Sequence, residues 1–127
     1  MMPLLRDIRQ AVDGYVAAQP VPYRTSPAQF SFQSLKEADH ERAFPIALEP
    51  FLHTRFEMAD FCLEALDLGV NYIGICCGGA PHHVRAMSEA LGRTPPAGKY
   101  SPALELHPMI GKNVKEKDKG YLEYWKD

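Results

Sequence analysis

Apolar residues along this chain follow two periods, and glycines and prolines mark where one gives way to the other. Leu4, Leu5, Ile8, Ala11 and Val12 recur at helical spacing behind Pro3, and Gly14 sits where a helix stops, so the pattern predicts a helix over residues 3–13. The run Tyr15-Val16-Ala17-Ala18-Gln19, halted by Pro20 and Pro22, predicts a strand, weakened by its alanines. The clearest helix opens at Thr54. Thr54 and Glu57 match the capping box, in which each side chain satisfies a free backbone amide of the other residue. Phe56, Ala59, Leu63 and Leu66, with Cys62, are expected to form its apolar face, and Gly69 to close it. Val70, Tyr72, Ile73 and Ile75 then make the short β-favouring run expected of a parallel strand covered on both faces. A third helix is predicted from Pro81, carrying Val84, Met87 and Leu91 and ending at Gly92.

Residues 20–50 interrupt this order with prolines at 20, 22, 27, 45 and 50. An irregular segment of that length in a compact domain is usually functional or disordered. Phe30, Phe32, Phe44 and Phe51 make it too apolar for a free linker, so it is expected to pack. Within it, Glu49 lies among apolar neighbours, as a site carboxylate or as a solvated rim residue.

The sequence of elements is therefore helix, strand, long loop, helix, strand, helix. Such alternation implies an α/β fold of right-handed parallel βαβ units, with functional groups at the carboxyl ends of the strands. Two strands neither close a barrel nor cover their own edges, so the pattern suggests a piece of a larger α/β protein.

Cys76 and Cys77 stand at one such strand end, wrapped by Gly74, Gly78 and Gly79. Neighbouring side chains on a regular strand point to opposite faces, so two consecutive thiols converge only if glycine lets the backbone turn between them. Converged, they are candidates for gripping one soft metal ion. Three other readings stand beside that one: small core residues, a vicinal disulfide, or exposed reducible thiols. A dithiol redox motif is disfavoured, because the two-residue spacing is absent. Cys62 falls inside a helix face and reads as core. His82 and His83 lie at a helix N-terminus near the pair, where the helix dipole disfavours a charged imidazole.

Composition narrows the function classes. A net charge of -2 over 127 residues, with no lysine or arginine stripe, argues against nucleic acid as a main partner. No apolar run approaches the ~20 residues of a membrane span, the N-terminus lacks a long apolar leader, and three cysteines make no disulfide framework. The expected compartment is cytoplasmic. Near the C-terminus, Lys112 to Lys119 reads as a solvated segment, whereas Tyr121, Tyr124 and Trp125 are too apolar to leave in water and are expected to dock.

The cysteine strand Gly69-Val70-Asn71-Tyr72-Ile73-Gly74-Ile75-Cys76-Cys77-Gly78 and the following Pro81-His82-His83-Val84-Arg85-Ala86 resemble the last barrel strand and last helix of the homocysteine S-methyltransferase family. Phe44-Pro45-Ile46-Ala47-Leu48-Glu49-Pro50 with Thr54-Arg55 resembles the segment before its seventh helix, and Glu123-Tyr124-Trp125 resembles the C-terminal extension of its betaine-dependent members. The resemblance implies the last βα units of a (β/α)8 TIM barrel over residues 1–92 and an extension over 93–127, through which a homo-oligomer would form. It further implies zinc bound by Cys76 and Cys77, methyl transfer from a donor (betaine favoured) to homocysteine giving methionine, and a substrate-binding place for Glu49. Two departures accompany it. The family's third zinc cysteine matches nothing here, Cys62 included, and Ile75 replaces a usual glycine. The chain alone is expected to be a poor methyltransferase, and the alternative is a non-catalytic metal-binding or interaction fragment.

Overall fold

The structure, a computed structural model, describes residues 2–37 and 42–107. The element order matches the alternation: helix α1 (Met2–Ala11), strand β1 (Ala17–Ala18), helix α2 (Arg55–Asp67), strand β2 (Tyr72–Ile73) and helix α3 (Pro81–Ala90). Short 3-10 turns occur at Phe32–Ser34, Glu49–Phe51, Pro96–Tyr100 and Leu104–Leu106. The two strands pair in parallel, with Ala17 opposite Tyr72 and Ala18 opposite Ile73. Among the described residues this is a small α/β unit built on a two-stranded sheet.

α2 is the hub. Its cap forms as the sequence expects: the Thr54 hydroxyl accepts from the Glu57 amide at 3.2 Å, and Glu57 accepts from the Thr54 amide at 2.7 Å. At its other end Gly69 adopts φ 84°, a left-handed conformation that glycine enters without a Cβ clash. The buried stripe, however, is Met58, Cys62 and Ala65. Cys62 is core, as expected, but Phe56, Leu63 and Leu66 are 49%, 44% and 52% exposed. Apolar residues occur on both sides of this helix, so periodicity leaves the choice of face open. Its neighbours make the choice. Ala65 meets Leu5, Val16, Ala18 and Val70 from α1 and the strand segments, while Met58 and Cys62 meet Met87 of α3, with Phe61, Ile73, Ile75 and Leu91 around them.

The same rule corrects other expectations. In α3 the buried residues are His83 and Met87, and Val84 is 55% exposed. In α1 only Leu5 is buried, because α2 and the sheet cover one edge of that helix. β2 is not covered on both faces: Ile73 packs against the core, but Tyr72 is 59% exposed.

The long segment packs in part. Arg24 donates its amide to the Phe51 carbonyl at 2.8 Å and His53 to the Pro22 carbonyl at 2.8 Å, so the chain leaving β1 pairs with the chain entering α2. Tyr23 stacks on Phe32 at 5.6 Å, and Phe32 meets the edge of Phe44 at 5.7 Å. The Phe44–Pro45 peptide bond is cis. Phe30 departs from expectation at 83% exposed, since the Ser26–Gln29 turn carries it beyond this aromatic cluster. Residues 93–107 follow α3, where the Ser101 hydroxyl donates to Glu89 at 2.5 Å. Lys112–Lys119, Tyr121, Tyr124 and Trp125 lie outside the described residues. No described helix is long and apolar enough to cross a membrane.

Candidate functional site

The parallel ladder runs past the formal strand ends and delivers the cysteines. The Tyr72 amide donates to the Val16 carbonyl at 3.2 Å, Gly74 to Ala18 at 2.9 Å and Cys76 to Pro20 at 2.8 Å. This every-second-residue rhythm holds Cys76 as the last rung. Asn71 locks the register by accepting the Val16 amide on Oδ1 at 3.0 Å. The chain then turns: the Gly79 amide donates back to the Cys76 carbonyl at 3.0 Å, and Gly78, third in the turn, has φ 88°. Positive φ at that place is the mark of a type II turn and favours glycine. Because the turn starts between the two cysteines, their alternation is broken. Their Sγ atoms lie 3.5 Å apart, both residues exposed and unbridged. A hydrogen bond from Cys76 and the nearby Cys76 charge push the Cys77 thiol up, since a second thiolate so close is disfavoured.

Two aromatic side chains hold this turn from opposite ends, and neither was apparent from local sequence signals. Tyr23 lies over Gly78 so closely that a Cβ there would fall 2.2 Å from its Oη and 2.6 Å from its Cζ. The ring occupies the space of the missing side chain. His83, fully buried, accepts the Ala80 amide on Nδ1 at 3.0 Å, while its Nε2 faces the His53 carbonyl at 2.9 Å. An amide can only donate and a carbonyl can only accept, so the ring is the neutral Nε2–H tautomer. The contact is half of a capping box, with histidine at the third helical position in place of glutamate. Alanine at the N-cap concealed that signal; the Tyr23 contact had no local signal at all.

The remaining candidates sit apart. His82 lies with its ring 4.1 Å from His83, and desolvation first, then the nearby Arg55 and Arg85 charges, lower its pKa. Glu49 is exposed in the 3-10 turn before α2, with no side-chain hydrogen bond or ion pair among the described residues. Cys62 is buried and its thiol pushed up by desolvation. Among the described residues no three histidine, cysteine or acidic side chains converge as a metal-binding group. The structure therefore brings Cys76 and Cys77 together and leaves Glu49 and His82 outside their cluster.

A cleft of about 830 Å³ opens between the start of α1, residues 20–25 and the start of α2. Its apolar wall includes Leu4, Phe30 and Phe61, and Tyr23 and His53 border it. Its Arg24 and Glu57 charges are paired with each other: Arg24 Nε donates to Glu57 at 3.2 Å, and the His53 ring lies beside the same carboxylate, Nδ1 at 3.2 Å.

No profile of a known protein family matches the chain. Individual proteins do. The chain is 36% identical over 120 residues to betaine--homocysteine S-methyltransferase 1 of Mus musculus, covering 89% of itself and 28% of that protein. It is 39% identical over 88 residues to S-methylmethionine--homocysteine S-methyltransferase of Rattus norvegicus, covering 65% of itself and 24% of that protein. With betaine--homocysteine S-methyltransferase 1 of Danio rerio, identity reaches 44% over 72 residues, 50% of this chain and 18% of the other. The chain thus spans under a third of these relatives' length. Across most of its length the chain is similar to the C-terminal part of the betaine-- and S-methylmethionine--homocysteine S-methyltransferases.

Proposed function

We propose that this chain supplies the zinc-binding cysteine pair of a homocysteine S-methyltransferase, and that its two βα units are part of a (β/α)8 barrel. The observation that carries the reading is the 3.5 Å separation of the Cys76 and Cys77 Sγ atoms at the carboxyl end of a parallel strand. Two sulfurs at ~2.3 Å from a tetrahedral zinc ion stand ~3.8 Å apart, so the pair fits one edge of such a site with a shift of a few tenths of an ångström. Thiolate is also the donor type that zinc prefers alongside imidazole. Cys76 and Cys77 would hold the ion, with its other positions left to donors outside this pair and to substrate.

Bound zinc would keep the homocysteine sulfur as thiolate at neutral pH, the form able to attack a methyl group. The chain's own contribution is placement. The last rung on Pro20 fixes Cys76, the Gly78 turn swings Cys77 beside it, and exposure of both thiols leaves the substrate a path. Betaine is the favoured methyl donor and S-methylmethionine the other, as the relatives' names carry both. Glu49, exposed in the segment returning to β1, is offered as a carboxylate for substrate binding.

Zinc uptake by the reduced chain, read by competition with a chromophoric chelator, tests this directly. Wild type should bind zinc, Cys76→Ser should lose it, and Cys62→Ser should not. Zinc binding unchanged by Cys76→Ser refutes the assignment. Supplying homocysteine with betaine or S-methylmethionine, and following methionine formation, then separates a donor-specific enzyme from a metal-binding unit without turnover.

A further inference from the structure

We infer that His83 is the positioning residue of the cysteine turn, tying its far end to the start of α2. Three observations meet in this one side chain. It is 0% exposed, the only polar residue among the described buried positions. Its Nδ1 accepts the amide of Ala80, the residue that follows the turn Cys76–Gly79 and caps α3. Its Nε2–H donates to the carbonyl of His53, the residue just before the α2 cap Thr54.

The ring therefore bridges two chain segments that have no covalent reason to stay in register: the loop leaving β2 and the loop entering α2. The His53 segment is in turn anchored to the chain leaving β1, where the His53 amide donates to the Pro22 carbonyl at 2.8 Å. Pro20, two residues earlier, accepts the amide of Cys76. The links form a closed circuit: Cys76 to Pro20, Pro22 to His53, His53 to His83, His83 to Ala80, and back through the turn to Cys76. Both ring nitrogens are used within it, so His83 has no lone pair left for a metal ion. Its role toward the thiols is to hold the backbone that carries them. For a metal site, support of this kind is typically worth 10- to 100-fold in affinity.

The inference deepens the zinc reading and rests on it for that affinity alone; the clamp itself is tested without metal. Amide hydrogen exchange is measured on the full-length reduced chain for wild type, His83→Leu, His83→Asn and His83→Gln, and zinc competition on the same proteins. Asparagine places its carbonyl oxygen near the position of Nδ1, so it should restore the Ala80 cap, whereas glutamine and leucine should not. The expected result is Ala80 exchange at least tenfold faster in His83→Leu than in wild type, relative to Met87 in the same helix, with recovery in His83→Asn. Zinc affinity should fall roughly tenfold or more in His83→Leu and recover only in part in His83→Asn, which restores the Ala80 cap but leaves the His53 link open. Nitrogen shifts of the wild-type ring should report the Nε2–H tautomer. If His83→Leu does not fold, the comparison is between His83→Asn and His83→Gln, with faster Ala80 exchange expected in the latter.

Ala80 exchange that is equal in all folded variants overturns the clamp. Zinc affinity equal in all of them, while Cys76→Ser abolishes binding, overturns the link to the thiols. A wild type that binds no zinc overturns the metal reading instead, and the exchange comparison still decides the clamp.

Discussion

Gly78→Ala is the sharpest test of how the cysteine turn is built. Two separate costs fall on this position. Gly78 has φ 88°, where an L-residue is strained by about 1–2 kcal/mol. An added Cβ would also lie 2.2 Å from Tyr23 Oη, 2.6 Å from Cζ and 2.7 Å from Cε2. The ring gives way with difficulty, since Tyr23 is stacked on Phe32 and bridges to Leu52. Overlap of this kind costs about 1–3 kcal/mol. The sum is a loss of about 2–5 kcal/mol, a large share of the stability of a small domain.

Gly92 supplies the control within the same chain. It has φ 74°, and nothing lies within 4 Å of a Cβ built there, so Gly92→Ala should lose only the conformational part, about 1–2 kcal/mol. Urea unfolding followed by circular dichroism gives both values. Adding Tyr23→Ala to Gly78→Ala should recover at least ~1 kcal/mol of the overlap, a coupling that a double-mutant cycle isolates. If Gly78→Ala costs no more than Gly92→Ala, or the cycle shows no coupling, the contact between Tyr23 and the turn is not as described.

Acid should loosen the start of α2 first. The Thr54 amide, then the Thr54 hydroxyl, with smaller help from His53 and Arg24, hold Glu57 at about 2 against an ordinary 4.5. A depressed carboxylate contributes stability that is full above pH 4.5 and is lost as pH falls toward 2; because this group is half exposed, the contribution is about 1 kcal/mol. Glu57→Gln should flatten the loss of stability in that window, and an unchanged pH profile refutes the argument. Thiol labelling should separate Cys76 from Cys62: Cys76 reacts rapidly in the native state, whereas Cys62, 1% exposed with its thiol raised by burial, reacts only as the chain opens. Native-state labelling of Cys62 at the rate of Cys76 would contradict the packing of α2 on α3.

The order of elements was legible because it depends on local rules. Pro3, Thr54 with Glu57, Gly69, Pro81 and Gly92 start or stop helices through their own backbone chemistry, and each does so in the structure. The Cys-Cys-Gly-Gly string likewise carried enough information to predict that glycine would be needed for two neighbouring thiols to meet, and the turn at Gly78 brings them to 3.5 Å. Burial was not legible in the same way. α2 has apolar residues on both sides, so which stripe packs depends on where α1, the strands and α3 lie: Met58, Cys62 and Ala65 are buried and Phe56, Leu63 and Leu66 are not.

The supports of the candidate site belong wholly to tertiary structure. Tyr23 is fifty-five residues from Gly78 and His53 thirty from His83, separations across which no periodicity or capping rule operates. Local backbone preference alone determined where the chain turns and which residues stand at the turn. Only long-range packing decided what holds that turn in place, because a contact between distant segments exists only once the folded chain has set their separation.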